Sequence, residues 1–427
     1  MRIEPAAALR GDIAVPGDKS ISHRALLLAA IADGESEIDG FGASEDTLST
    51  AAAVRALGAD VSVEGERVSV GGVGLRGLRE PAGPLDCGNA GTLMRLLPGI
   101  LAGHEGRFEL TGDESLSGRP MERVAEPLRS MGARVETTDG HAPLLVEGGA
   151  LVPVRWELPV ASAQVKSCVL LAGLYAGDGP TTTVEPFASR DHTERMLEAA
   201  GVRMRRKARE AAVWPAERLR PLSLEIPGDF SSAAPFVLAA TLLAGSELRL
   251  HGVGTNPTRT GFVAVLERMG ARIAVFNRRT TGGEPVADLE VHSAELTATE
   301  VREEEVPALL DELPLFALAA AMARGESVVR GAAELRVKES DRLETVKDAL
   351  RPLGVRIEIR HDVLRVRGVP SRPKGGGVVE AAGDHRIAML GAVAGLVSRE
   401  GVELRGAETV AVSFPDFFAM LDSLALR

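Results

Sequence analysis

The sequence predicts an α/β protein of two domains, each built from three copies of one repeat of helices and strands. Three observations support this: a glycine that recurs after Leu- and Ala-rich segments, a second glycine that recurs between the first ones, and a stretch near the N-terminus that returns in the second half of the chain. At 427 residues the chain is too long for one ordinary domain, because about 150 residues per domain is usual.

The first glycine separates a helical pattern from an alternating run that predicts a strand, as in ADGESEIDGF. Its intervals are 72, 73, 66, 80 and 76 residues, so six copies fit the chain. Its positions are Gly34, Gly106, Gly179, Gly245, Gly325 and Gly401.

The second glycine ends a helical pattern and precedes a period-two pattern, as in RALGADVSV. Such a glycine predicts a helix C-cap and the alternation predicts a strand. Each copy is therefore expected to run helix, strand, second helix and strand pair, so that three copies could close one core and three another. The second set comprises Gly58, Gly132, Gly201, Gly270 and Gly354.

The stretch VPGDKSISHRALLLAAIADG (Val15–Gly34) has a near-copy in IPGDFSSAAPFVLAATLLAG (Ile226–Gly245). Both begin with Pro-Gly-Asp, but apolar residues replace Lys19 and Arg24 in the second copy. Since Pro fixes φ and Gly tolerates unusual backbone angles, the two Pro-Gly pairs predict paired crossings between domains.

The crossings are expected near residues 16 and 226. Residues 1–15 and 226–427 would then form one discontinuous domain of three units, and residues 16–225 the other.

Composition excludes several classes of protein. The net charge of −11 argues against nucleic acid as the main partner. Two cysteines without a Cys-x-x-Cys pair favour neither a disulfide framework nor a thiolate zinc site, and they suit a reducing cytoplasm. No secretion signal is expected from the N-terminal sequence, and apolar runs such as 313–323 are too short to span a bilayer, which takes about 20 residues.

Polar residues gather at the predicted helix starts. Asp18 or Ser20 can cap a helix whose first turn carries Lys19 and Arg24. Free N–H groups and the positive helix end suit a carboxylate or phosphate, although a capped surface helix would look the same. Ser162 and Ser189 stand at later helix starts, where a cap also explains them.

Two acids and two cations stand in other motifs. Asp311 and Glu312 enter an apolar helix, where a partly enclosed carboxylate is a candidate general base and an N-cap is the alternative. Lys338 and Arg342 are four residues apart and share one face if that segment is helical. No metal site is expected, because the histidines lack partners at ligand spacing.

In chain order, PGDKSISHRA, GNAGT, GRP, SAQVKS, SRDHTE, VKESDR and GDHR resemble the 5-enolpyruvylshikimate 3-phosphate synthases (3-phosphoshikimate 1-carboxyvinyltransferases), members of the enolpyruvyl transferase family. The resemblance covers nearly the whole chain. It implies a two-domain inside-out α/β barrel with three βαβαββ units in each domain and an active site in the interdomain cleft. It also implies that only the first Pro-Gly-Asp stretch carries ligand charges, the second being a return hinge and helix.

The resemblance implies the substrates phosphoenolpyruvate and shikimate 3-phosphate. The residues implied to bind shikimate 3-phosphate are Lys19, Ser20, Arg24, Ser162, Ala163, Gln164, Ser189, Asp311 and Lys338. Those implied to bind phosphoenolpyruvate are Lys19, Asn89, Gly91, Arg119, Gln164, Arg342, His385 and Arg386.

The implied reaction adds the 5-hydroxyl of shikimate 3-phosphate to the enolpyruvyl double bond and then eliminates phosphate. Asp311 would be the base, and Glu339, helped by Lys19, the acid. Phosphate leaves by C–O cleavage, so neither Mg²⁺ nor another cofactor is expected. The family also implies a cytoplasmic enzyme of aromatic amino-acid biosynthesis, expected to be monomeric and sensitive to glyphosate.

Two departures and two alternatives remain. Val412 stands where some members have Lys, and Ala163 where another branch has a second Ser. A UDP-N-acetylglucosamine enolpyruvyl transferase would share the fold, but its site loop carries a Cys that TGDESLSGRP lacks. A non-catalytic repeat scaffold would explain the periodicity but not the charged helix starts.

Overall fold

The computed structural model describes all residues from 1 to 427, and the chain divides into two compact units. Unit 1 comprises Met1–Pro16, Gly228–Arg279 and Pro285–Arg427. Unit 2 comprises Gly17–Pro227 and Thr280–Glu284. The main passages of the chain from unit to unit therefore fall within the two Pro-Gly pairs, and a five-residue turn returns to unit 2.

Twenty-four strands and fourteen α-helices alternate along the chain. The strands are Arg2–Ile3 (β1), Ala8–Ala14 (β2), Asp33–Asp39 (β3), Asp60–Glu64 (β4), Arg67–Val73 (β5), Leu85–Asp86 (β6), Arg107–Thr111 (β7), Arg134–Thr138 (β8), His141–Glu147 (β9), Arg155–Glu157 (β10), Thr181–Val184 (β11), Met204–Lys207 (β12), Glu210–Val213 (β13), Ser223–Glu225 (β14), Glu247–Gly254 (β15), Arg272–Thr281 (β16), Glu284–His292 (β17), Glu300–Val301 (β18), Gly325–Val329 (β19), Arg356–Arg360 (β20), Val363–Gly368 (β21), Val378–Glu380 (β22), Val402–Arg405 (β23) and Ala425–Leu426 (β24). The helices are Lys19–Ala30 (α1), Glu45–Ala56 (α2), Gly91–Leu101 (α3), Glu114–Ser117 (α4), Glu122–Ser130 (α5), Ala163–Gly173 (α6), His192–Ala199 (α7), Phe230–Leu242 (α8), Gly261–Met269 (α9), Val306–Leu309 (α10), Leu313–Met322 (α11), Arg342–Leu350 (α12), His385–Val397 (α13) and Phe417–Leu424 (α14).

These elements repeat the order strand, helix, strand, helix and strand pair. The order is found from β2 to β5, β6 to β9, β10 to β13, β14 to β17 and β18 to β21, with α4 and α10 as additions. The sixth copy begins in the same way at β22, but it ends with α14 and one short strand, β24. The predicted repeat is confirmed for five copies and shortened in the last.

Each unit contains three sheets, and each sheet contains one parallel strand pair. In unit 2 the strand orders are β14-β3-β5-β4, β6-β7-β9-β8 and β10-β11-β13-β12. In unit 1 they are β16-β17-β15-β2-β24, β18-β19-β21-β20 and β1-β23-β22. A parallel pair requires a crossover connection, and a helix supplies it within four of the repeats.

The remaining two parallel pairs explain why the Pro-Gly-Asp stretch occurs twice. β2 pairs with β15, and β14 pairs with β3. The chain, however, runs from β2 into α1 of unit 2 and from β14 into α8 of unit 1. Each Pro-Gly-Asp stretch therefore joins a strand of one unit to the opening helix of the other.

The first helix of each repeat is almost entirely buried in the core of its own unit. These helices are α1, α3 and α6 in unit 2, and α8, α11 and α13 in unit 1. Apolar residues make up most of each helix, and the buried charged residues of α1, α6 and α13 lie in the first half of the helix. The longest helices have 13 residues, and none of the helices is long and apolar enough to cross a membrane.

All eleven repeat glycines adopt a left-handed backbone, with φ between 69° and 130°. They lie where a helix ends or a strand begins, and only glycine adopts such angles without strain. The five predicted helix-ending glycines are confirmed.

Candidate active site

In unit 2, the start of α1 holds two basic side chains. Asp18 caps the helix by accepting a hydrogen bond from the Ile21 N–H at 2.9 Å. The half-buried Lys19 Nζ lies 2.7 Å from Oδ2 of Asp46, a buried residue in the first turn of α2. Asp46 was not identified from the sequence, although it is the partner that orients the Lys19 ammonium.

Arg24 is buried one turn further along α1 and is held by neutral groups. Its guanidinium donates to the hydroxyls of Thr193 at 2.7 Å and Ser167 at 3.0 Å, and to the carbonyl of Ser20 at 2.9 Å. Burial lowers its pKa to about 10, which leaves it charged at neutral pH. A buried cation whose hydrogen bonds go to uncharged oxygens is suited to an anionic ligand. Ser20 itself is half-buried in the first turn.

The start of α6 is tied to α3. Ser162 caps α6 through the Val165 N–H at 3.4 Å, as predicted, and Ala163 and Gln164 follow it half-buried. The Gln164 amide oxygen accepts from Arg95 at 2.7 Å, and its NH₂ donates to Thr92 at 3.1 Å. Since both partners lie on α3, the Gln164 side chain is fixed against that helix.

Three predicted residues meet at the start of α3. Arg119 donates to the Asn89 side-chain oxygen at 2.5 Å, and a β-carbon placed on Gly91 would lie 2.9 Å from Arg119 Nη1. The Asn89 NH₂ in turn donates to Asp113 at 2.8 Å. The buried Arg119 guanidinium, the Asn89 amide and the backbone of Gly91, which has no side chain, therefore lie together. Such a group of donors suits a small anion.

Ser189 is not a helix cap, so the alternative explanation of this residue does not apply. Helix α7 begins at His192 after Asp191, and the buried Ser189 lies three residues before the helix. Its hydroxyl donates to the carboxylate of Glu185 instead. Since its N–H also donates to that carboxylate at 3.2 Å, Ser189 belongs to a network around Glu185.

In unit 1, Arg342 gathers three carboxylates. The guanidinium, with 2% of the side chain exposed, lies 3.2 Å from Asp311, 2.6 Å from Glu339 and 2.8 Å from Asp384. Burial alone would lower its pKa, but Asp384, Glu339 and Asp311 outweigh burial and raise it. The proposed base and the proposed acid are thus held by one cation.

Lys338 does not share a helix face with Arg342, because the segment between them is not helical. Asp341 caps α12 by accepting from the Glu344 N–H at 3.3 Å, so the helix begins at Arg342. Lys338 and Glu339 are half-buried in the segment before it. Lys338 therefore projects from irregular chain rather than from the first turn.

His385 and Arg386 are buried in the first turn of α13, which Asp384 caps by accepting from the Arg386 N–H at 2.9 Å. Asp384 thus serves both the helix and Arg342. Nη1 of Arg386 donates to the carbonyl of Ser231 at 3.0 Å. Ser231 lies in the first turn of α8.

That contact corrects the interpretation of the second Pro-Gly-Asp stretch as a hinge and helix alone. Arg259 donates to Asp229 at 3.1 Å and to the Ser231 hydroxyl at the start of α8, and it lies 3.6 Å from Asp311. It also donates to Glu312, which is completely buried. The start of α8 therefore supports both Asp311 and Arg386.

No group of three or more His, Cys, Asp or Glu side chains is arranged to hold a metal ion. His192 pairs instead with Glu284 at 2.8 Å, and both side chains are buried in unit 2.

The comparisons with known proteins agree with one another. A family model described as EPSP synthase (3-phosphoshikimate 1-carboxyvinyltransferase) matches residues 3–421. A curated 3-phosphoshikimate 1-carboxyvinyltransferase from Gloeobacter violaceus is 53% identical over 423 residues, which cover 98% of this chain and 97% of the relative.

Solved structures give the same result. EPSP synthase from Acinetobacter baumannii has a TM-score of 0.88 and 42% identity, covering 100% of this chain and 98% of that one. The enolpyruvyl transferase NikO from Streptomyces tendae has a TM-score of 0.80 at 22% identity, covering 99% of this chain and 96% of that one, and it supports the fold alone.

Proposed function

Because the chain belongs to the EPSP synthase family, we propose that it transfers the enolpyruvyl group of phosphoenolpyruvate to the 5-hydroxyl of shikimate 3-phosphate and releases phosphate. The observation that carries this proposal is the arrangement around Arg342. One buried guanidinium contacts both Asp311 and Glu339, and the reaction needs a base and an acid that act on neighbouring atoms.

The first step is an addition. Asp311 takes the proton of the 5-hydroxyl while the oxygen of that hydroxyl bonds to C2 of phosphoenolpyruvate. Glu339, assisted by Lys19, gives a proton to C3, and a tetrahedral intermediate results. In the second step C3 loses a proton to the same acid–base group, the double bond re-forms, and the C2–O bond to phosphate breaks.

The cations of unit 2 serve the anionic groups of both substrates in this proposal. Lys19 and Arg24 with Ser20, Ser162, Ala163, Gln164 and Ser189 bind shikimate 3-phosphate. Asn89, Gly91 and Arg119 bind phosphoenolpyruvate, to which Lys19 and Gln164 also contribute. The hydrogen bonds of Arg119 to Asn89 and of Gln164 to Arg95 support these roles, because they orient the donors before a ligand arrives.

Unit 1 supplies the reacting groups and the remaining ligands, which are Asp311, Lys338, Glu339, Arg342, His385 and Arg386. Arg342 has five N–H groups, and four of them already donate to carboxylates. A bidentate bond to phosphoenolpyruvate needs two. A substrate that takes two N–H groups of Arg342 would therefore displace one of these carboxylates, and Asp311 and Glu339 are the two that have to reach substrate.

The proposal includes the wider organisation of the enzyme: two domains with crossings near residues 16 and 226, a monomer, and a place in the cytoplasm. Light scattering of the purified protein measures the oligomeric state directly. Fractionation of the source cells measures the location.

A phosphate-release assay tests the activity. Purified protein with phosphoenolpyruvate and shikimate 3-phosphate should release phosphate and form the enolpyruvyl ether, detected by mass spectrometry. UDP-N-acetylglucosamine is the comparison acceptor. Turnover with that acceptor instead, or with neither, would overturn the proposal.

A further inference from the structure

Lys166 is a buried ammonium that the proposed mechanism does not use. It lies on α6, with 3% of its side chain exposed, 2.8 Å from Glu194 of α7 and 3.1 Å from Glu185, which follows β11. Burial would lower its pKa, but Glu194 and Glu185 outweigh burial and raise it. Replacing a buried ion pair by apolar side chains is often neutral or stabilising, so stability alone does not account for this cluster.

The neighbours are the atoms of Ser189. Lys166 Nζ donates to the Ser189 carbonyl at 3.3 Å. The Ser189 N–H donates to Glu185 at 3.2 Å, and its hydroxyl donates to the other oxygen of the same carboxylate. Ser189 belongs to no helix or strand, so Lys166 and Glu185 fix its backbone and its hydroxyl.

The same cluster reaches Arg24 through the next residues along α6 and α7. The hydroxyls of Ser167 and Thr193 lie 2.7 Å apart, and both accept from the Arg24 guanidinium. Ser167 follows Lys166, and Thr193 precedes Glu194. Lys166 thus contacts both buried carboxylates, whereas Arg24 donates to uncharged oxygens.

We propose that Lys166 is a positioning residue of the phosphate subsite for shikimate 3-phosphate: it neutralises Glu185 and Glu194 and, together with Glu185, holds Ser189 in place. This rests on the proposed function, in which Ser189 and Arg24 bind that substrate. Without Lys166, the charge of two buried carboxylates would oppose an incoming phosphate dianion, and the Ser189 carbonyl would lose its donor.

The test is Lys166→Met, which keeps the length and apolar stem of the side chain. The KM for shikimate 3-phosphate should rise about 10- to 100-fold, since hydrogen bonds to charged groups are each worth about one to two powers of ten in affinity. The KM for phosphoenolpyruvate should change much less. A merely structural role would not separate the two constants.

The pH profile gives a second readout. In Lys166→Met, Glu185 and Glu194 face the position that the ammonium has left. The nearby cation is Arg24, which is within electrostatic range of Arg190, Asp18 and Glu284. Buried carboxylates without a cation ionise only at raised pH. The KM ratio of variant to wild type for shikimate 3-phosphate should therefore increase as pH rises.

Two controls match the change. Val169→Ala alters a fully buried residue on the same helix without changing charge, and Lys207→Met removes one charge from an exposed strand of unit 2. Neither should separate the two KM values. Glu194→Gln, which keeps the Lys166 contacts to Glu185 and Ser189 and removes one negative charge, should lower the KM for shikimate 3-phosphate.

The outcomes are distinct. Absence of phosphate release by wild type overturns the proposed function itself. Active wild type with equal KM changes for both substrates in Lys166→Met overturns the role of Lys166. Should Lys166→Met not fold, Glu194→Gln decides, and a raised KM for shikimate 3-phosphate in that variant contradicts the inference.

Discussion

Replacing Asp311 by Asn separates catalysis from folding at the centre of the proposed mechanism. The change keeps the shape of the side chain and removes its basicity. Arg342 retains Asp384 and Glu339, and Arg259 retains Asp229 and Glu312. The amide oxygen can still accept from Arg342 across the 3.2 Å contact, so we expect a folded protein.

Turnover should nevertheless fall by about 10²- to 10⁴-fold, the contribution of a positioned acid or base. Shikimate 3-phosphate should still bind, because the substitution leaves unchanged the cations proposed to hold it, Lys19, Arg24 and Lys338. Steady-state phosphate release measures kcat, titration calorimetry measures shikimate 3-phosphate binding, and thermal unfolding checks the fold. A folded variant with kcat near wild type would refute the assignment of Asp311 as the base.

Glu312→Gln is the matched control, because Glu312 is the adjacent acid and is completely buried against Ser231 and Arg259. It cannot reach a substrate without unfolding its surroundings, so kcat should stay close to that of wild type. A loss as large as that of Asp311→Asn would mean that the local structure, rather than a base, is being measured.

Three further predictions follow from burial and close approach. Burial raises the pKa of Glu312 above its ordinary value of 4.5 despite the opposing charge of Arg259, so ionising this residue costs stability. The Tm of wild type relative to that of Glu312→Gln should therefore fall as pH rises above 4.5. Two Tm curves that stay parallel would contradict this. Both cysteines are buried, and burial raises the pKa of Cys87 and raises that of Cys168 to about 12. Neither thiol should therefore react with a disulfide reagent at about pH 8 until the protein unfolds. Reaction of either thiol in the native protein would count against this. Gly91→Ala should raise the Ki of glyphosate more than the KM of phosphoenolpyruvate. The new methyl group would lie 2.9 Å from Arg119 Nη1, and glyphosate is the longer of the two ligands. An unchanged ratio of Ki to KM would show that Gly91 does not discriminate between them.

The fold could be predicted because its repeat depends on local requirements. A glycine is needed wherever a helix ends in a left-handed residue, and all eleven repeat glycines do adopt positive φ. The parallel pairs of β2 with β15 and of β14 with β3 are different. They join segments more than 180 residues apart, as the numbering shows, and no local pattern encodes such a partner.

The residues of the candidate site also differ in how far the sequence identifies them. Lys19, Arg24, Asp311 and Arg342 stand in recognisable motifs, whereas Asp46 resembles any solvated acid until its contact with Lys19 is known. Local capping was visible for Asp341, which precedes Arg342 and accepts from the third N–H beyond it. That signal would have placed Lys338 outside the helix.

The two Pro-Gly-Asp helices differ in where their cations come from. In α1, the helix itself provides Lys19 and Arg24, and Arg24 bonds only to uncharged oxygens. At the start of α8 the cation is Arg259, which precedes α9, and Asp229 and Glu312 compensate its charge.

The start of α1 therefore retains positive charge for a ligand. At the start of α8 the cation, Arg259, is paired with neighbouring carboxylates, among them Asp311 at 3.6 Å. Such compensation leaves no second strong anion site at the start of α8. The duplicated backbone thus serves binding in unit 2 and the positioning of the proposed base in unit 1.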